Sequence, residues 1–126
     1  MDLWQGLKLD HREPVCPQLV YQVKRMLLLG RLEEGERLPS RRETAAALEI
    51  NPNTVQKAYR QLEEEGIIVT DGNSGSVVRC SPETRSCIES ELTREVAAAF
   101  AASARELGMS FKQAVDLLSE LWESGS

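Results

Sequence analysis

Only Glu49, Ile50 and Asn51 separate two stretches that both carry helical periodicity, and this short gap constrains the fold more than any other feature of the chain. A gap of three residues is a turn, so the flanking helices are held together as a pair. The first begins at Ser40, an N-cap whose capping box is completed by Glu43, and covers about 41–48, with Ala45, Ala46 and Leu48 as small packing groups. The second is capped by Asn51 or Asn53. It repeats Val55, Ala58, Tyr59 and Leu62 at i, i+3, i+4 and i+7 until Gly66 ends it.

Upstream, residues 1–13 show little periodicity and read as an arm. Pro14 and Pro17 suit a helix entrance, after which Leu19, Val20, Val23, Met26 and Leu27 recur at helical spacing up to Gly30. The connector RLEEGERLPS has Gly35 for a turn and Leu38 in a short strand. Downstream the period becomes strand-like: IIVT and SVVR flank DGNSG, which reads as a β-hairpin. Ser81 and Pro82 then open a long helix over about 83–107, with Ile88, Leu92, Val96, Phe100 and Leu107 on one stripe. Gly108 stops it. Ser110 and Gln113 form a second capping box for a final amphipathic helix carrying Phe111, Ala114, Leu117, Leu118, Leu121 and Trp122.

The expected fold is mainly α with a small β-hairpin: a winged helix-turn-helix over 1–80 with an N-terminal arm, and a two-helix hairpin over 81–126. Two such terminal helices cannot bury both apolar faces alone; they pack on the N-terminal domain or on a second copy, and the second copy is favoured. The reading assigns them to a homodimer contact through Leu92, Val96, Phe100, Leu107, Phe111, Leu117, Leu118, Leu121 and Trp122.

Function classes narrow quickly. No apolar run reaches the ~18 residues of a membrane span, and the N-terminus lacks a secretory layout, so a soluble, cytoplasmic protein is expected. Cys16, Cys80 and Cys87 are an odd set without a CxxC pair, which argues for free thiols over disulfides or structural zinc; a redox or metal-sensing role for Cys80 and Cys87 has no further support. The sole histidine, His11, lies in the arm, and no phosphate loop, nucleophile elbow or metal-spaced cluster appears, so no enzyme, cofactor or metal is expected.

The net charge of −5 disfavours nucleic acid only as a sum. Residues 36–60 hold five basic and three acidic side chains, whereas 81–126 hold four basic and eight acidic. One face can therefore attract DNA while the remainder does not. In a winged helix-turn-helix the later helix enters the major groove by its N-terminal end, where free N–H groups and the helix dipole favour phosphate. Asn51, Asn53 and Thr54 add short hydrogen-bonding groups there, Gln56 has the right chemistry for adenine, and Lys57 and Arg60 reach toward flanking phosphates. Taken alone, Asn and Thr at a helix start are caps, and Lys57 with Arg60 a solvated face. The order of the surrounding elements favours DNA.

The stretch RLPSRRETAAALEINPNTVQKAYRQLEEEGIIVTDGNSGSVV resembles the winged helix of GntR-family transcription regulators, and INPNTVQKAY with the short tail resembles their YtrA subfamily. The likeness covers roughly 9–79. It implies double-stranded DNA as partner, a homodimer formed by the tail, and a pseudo-palindromic operator bound most often for repression. It also implies roles: Ser40 and Arg42 at a phosphate clamp with Arg41 adding a cation, Asn51, Asn53, Thr54 and Gln56 as recognition-helix contacts, and Gly75 at the wing tip. The tip departs from the family pattern, having Asp71 and Gly72-Asn73-Ser74 where basic residues usually flank a glycine. The tail leaves no private metabolite pocket, so a small-molecule effector would sit between helices or at the dimer interface. A winged helix used for protein–protein contact is the alternative reading.

Overall fold

The structure, a computed structural model, describes residues 3–72 and 75–125. Its element order is α1 (Val15–Leu28), α2 (Arg41–Leu48), α3 (Pro52–Glu64), β1 (Ile68–Asp71), β2 (Gly75–Val78), α4 (Pro82–Glu106) and α5 (Phe111–Glu123). This is the mainly helical fold with a small antiparallel hairpin that the periodicities predict. The chain divides into two compact units, one running to Glu89 and the other from Ser90, so the division falls inside α4.

In the first unit, α1 and α2 both pack on α3, and the apolar stripes meet in one core. Leu19, Val23 and Leu27 of α1, Val55, Tyr59 and Leu62 of α3, and Ile67, Ile68 and Val78 at and just before the hairpin are all fully buried. The helix ends are those the sequence announces. Ser40 and Glu43 complete both halves of a capping box, each bond at 3.0 Å. Asn51 is the residue that caps α3, its side chain accepting from the Asn53 N–H at 2.8 Å with Pro52 at the first helical position.

The hairpin pairs Ile68 with Val78, Val69 with Val77, Thr70 with Ser76 and Asp71 with Gly75. Gly75 has φ +75°, a conformation its missing Cβ allows at low cost. The tip residues Asn73 and Ser74, singled out above, lie outside the described residues. The connector before α2 extends the sheet. Arg37 bridges Val77, and Leu38 N–H donates to the Ser76 carbonyl at 2.9 Å, so the free edge of β2 is covered.

The arm is more ordered than its lack of periodicity suggests. Leu3 and Trp4 are buried at 2% and 5% exposure, and the buried Gln22 amide donates to the Leu3 carbonyl at 3.1 Å. Gln18 holds the approach to α1 by bonding both the N–H and the carbonyl of Asp10 at 2.8 Å.

In the second unit, α4 stops at Gly108 (φ +74°), and α5 starts on the Ser110–Gln113 capping box. No residue of α5 is buried. Among the described residues no helix is long and apolar enough to cross a membrane, and no cluster of three or more His, Cys, Asp or Glu could hold a metal.

Candidate nucleic-acid interface

The site is built on the N-terminal half of α3. Val55, Ala58, Tyr59 and Leu62 face the core, so helical geometry turns the intervening positions outward. Asn53, Thr54, Gln56, Lys57 and Arg60 line one open concavity of about 360 Å³. Of these, Thr54 and Gln56 are half-buried, and Asn53, Lys57 and Arg60 are exposed. Among the described residues neither Lys57 nor Arg60 has an ion-pair partner, so both charges stand free to meet an anion. Asn51 is exposed, and its side-chain oxygen is the one that caps the helix.

The start of α2 supplies the second part. Ser40 is exposed; its oxygen accepts the Glu43 N–H, which leaves the hydroxyl hydrogen available as a donor. Arg42 is exposed and without an ion pair among the described residues. Arg41 is placed differently. Its guanidinium sits 5.6 Å from the centre of the Tyr59 ring and 3.4 Å from Glu63, whose carboxylate also accepts from Thr70 of β1 at 2.8 Å. That cation ties α2 to α3 and the hairpin while its side chain stays about one-third exposed at the start of α2. Its Nε is buried without a hydrogen-bond partner.

Behind this surface, Tyr59 is held as a neutral phenol: burial raises its pKa, outweighing the Thr44 hydrogen bond and the Arg41 charge. Cys16 lines a neighbouring concavity with Lys57 and Arg60, and burial pushes its thiol up in spite of Lys57. Sequence reasoning passed over Trp4, Thr44 and Tyr59 as polar partners. The signal available was two aromatic residues with polar tips and a threonine on the apolar side of a helix, each of which needs a hydrogen bond when buried.

In the tail, Val96, Leu107, Phe111, Leu117, Leu118, Leu121 and Trp122 are exposed, with Phe111 at 86% and Trp122 at 82%. Phe100 is half-buried, and Leu92 is already buried at 6%, so it adds little to any further contact. Phe100, Ala104, Phe111, Ala114 and Leu118 line an apolar concavity of about 430 Å³ between α4 and α5.

The family described as "Bacterial regulatory proteins, gntR family" matches residues 17–78, the stretch from α1 to the end of the wing. The HTH-type transcriptional regulator YhcF of Bacillus subtilis is 31% identical over 113 residues, spanning 90% of this chain and 93% of the relative. The chain belongs to the GntR family. The GntR assignment reaches past the winged helix: the HTH-type transcriptional repressor YtrA of the same organism is 38% identical over 89 residues, covering 69% of this chain and 68% of that protein. A GntR family transcriptional regulator from Listeria monocytogenes superposes with a TM-score of 0.80 at 28% identity, over 89% of this chain and 98% of the other. As a GntR protein the chain is a sequence-specific DNA-binding transcriptional regulator, not an enzyme, and the protein-contact alternative falls away.

Proposed function

We propose that this GntR regulator is a YtrA-like repressor that binds a pseudo-palindromic operator as a homodimer. The observation that carries the base-reading part is the concavity on α3, where two half-buried polar side chains sit among unpaired cations. Thr54 and Gln56 read base edges, Asn51 and Asn53 approach the backbone, and Ser40, Arg42, Lys57 and Arg60 hold phosphates on either side. Gly75 lets the wing turn tightly beside the duplex; the wing adds little charge. Residues 1–80 form the reading domain and 81–126 the tail.

Dimerisation rests on α5. A helix of 13 residues is marginal by itself in water, and this one buries none of them, so its apolar face needs a partner. A second copy supplies an identical face under two-fold symmetry, and a two-fold dimer puts two recognition helices about 34 Å apart, or a multiple of that, along one side of the DNA. The protein acts in the cytoplasm, without cofactor or metal. The YtrA relative is a repressor, which favours the same direction of control here.

Gln56→Ala tests the assignment. It should cost about 1–3 kcal/mol on the preferred site and relax preference at one position in each half-site. Equal loss on all sequences would reduce Gln56 to a positioning contact.

A further inference from the structure

The helix α2 is short and buries only Thr44 and Ala45, so its apolar contact with α3 is small, and Arg41 adds a partly exposed tie to Glu63 and the Tyr59 ring. A buried chain of hydrogen bonds adds to that packing. Trp4 Nε1 lies 2.9 Å from Thr44 Oγ1, Thr44 Oγ1 lies 3.0 Å from the Tyr59 hydroxyl, and that hydroxyl lies 2.6 Å from the Pro39 carbonyl. Its direction follows from the chemistry of the ends. An indole N–H only donates, so Thr44 accepts from Trp4. A carbonyl only accepts, so Tyr59 spends its single hydrogen on Pro39. The middle bond is therefore donated by Thr44 to Tyr59.

Every hydroxyl in the chain gives one hydrogen and accepts one, and the series runs one way from arm to α2 to α3 to the connector. It ends at the carbonyl immediately before Ser40, where α2 begins and the phosphate clamp stands. Thr44 is fully buried and Trp4 is 5% exposed, so neither side chain can touch a duplex. The Tyr59 phenol stays protonated across the neutral range, which keeps the direction fixed.

We infer that the N-terminal arm is part of the DNA-reading apparatus, with Trp4 and Thr44 as positioning residues that hold the start of α2 in register with the recognition helix through this one-way chain. The inference rests on the base-reading role of α3 proposed above. A duplex in random sequence tolerates a loosened α2, because phosphates repeat along its length. A specific site does not, because clamp and base contacts must be made together.

The test uses the full-length protein, the duplex it enriches from a random library, and a scrambled duplex of equal length. Thr44→Val keeps the shape and removes the hydroxyl; Thr44→Ser keeps the hydroxyl; Trp4→Phe keeps an aromatic ring and removes the N–H. Dissociation constants for both duplexes are measured at a temperature well below every variant's thermal midpoint. Thr44→Val and Trp4→Phe are each expected to lower the ratio of specific to scrambled affinity by about five- to tenfold, the scale of one hydrogen bond, while Thr44→Ser stays within about twofold of wild type. In the Trp122→Phe background the remaining indole N–H proton should shift in Thr44→Val and not in Thr44→Ser. Unchanged affinity ratios in Thr44→Val and Trp4→Phe, with lower thermal midpoints alone, would make the chain purely structural and overturn the inference. So would a loss in Trp4→Phe without one in Thr44→Val. A wild-type protein that fails to separate the two duplexes would overturn the base-reading assignment itself, a result visible before any variant is made.

Discussion

Arg41 and Arg42 are neighbours in sequence and opposites in setting. Arg42 is exposed and unpaired among the described residues, whereas Arg41 lies over the Tyr59 ring and against Glu63. Arg42→Ala should weaken binding to all DNA and flatten the salt dependence by about 0.9 in slope, one phosphate contact. Arg41→Ala should leave that slope nearly unchanged and lower thermal stability, since it removes packing on an aromatic face. Salt titrations of both variants separate the two roles; equal slopes would mean that Arg41 swings out onto the duplex. A second residue-level consequence concerns Glu49, which adopts a left-handed φ of 54° at the end of α2. Glu49→Gly should raise stability by about 0.5–1 kcal/mol, because only glycine takes that conformation without a Cβ penalty. A lower urea midpoint would contradict this.

At the scale of elements, α1 and the end of α3 are joined by Lys24 and Glu65, 2.8 Å apart, with the lysine side chain 5% exposed. Burial raises the Glu65 pKa, but hydrogen bonds from Lys24 and Gln61 and the Lys24 charge outweigh it and hold the carboxyl below its ordinary 4.5. A carboxyl lowered in the folded state binds its proton more readily when unfolded, so its contribution is present above about pH 4.5 and is lost as pH falls through the folded value. Glu43, lowered by its bonds with Ser40, acts in the same direction. Urea midpoints should therefore drop below about pH 4.5, and Glu65→Gln should flatten part of that fall; an unaltered profile would mean that the pair is energetically silent. Elements were legible in the sequence to the extent that their ends carry local chemistry. The capping boxes at Ser40 and Ser110 follow from neighbouring residues alone, whereas spacing left the α3 cap open between Asn51 and Asn53, and Gly75 was singled out only by the family resemblance. The docking of Leu3 and Trp4 was not legible, because it is decided by burial and by hydrogen-bond partners distant in sequence. The contacts of Arg41 with Glu63 and Tyr59 were not legible for the same reason: both partners lie one helix away.

For the whole molecule, the apolar stripe of α5 was legible from spacing, and its exposure shows that the single chain leaves it uncovered. Spacing alone did not distinguish Leu92, which the chain already buries, from Leu121, which it leaves 48% exposed. A Leu117→Glu, Leu121→Glu double variant should therefore be monomeric by sedimentation equilibrium, and should bind a full operator about 100-fold or more weakly while keeping its half-site preference. A variant that stays dimeric would place the interface elsewhere. The most direct measurement is selection of binding sites from a random duplex library by the full-length protein at two salt concentrations. Enrichment of one two-fold-symmetric site is expected, with half-sites spaced by a whole number of DNA turns. Weak, salt-sensitive retention without enrichment would contradict it.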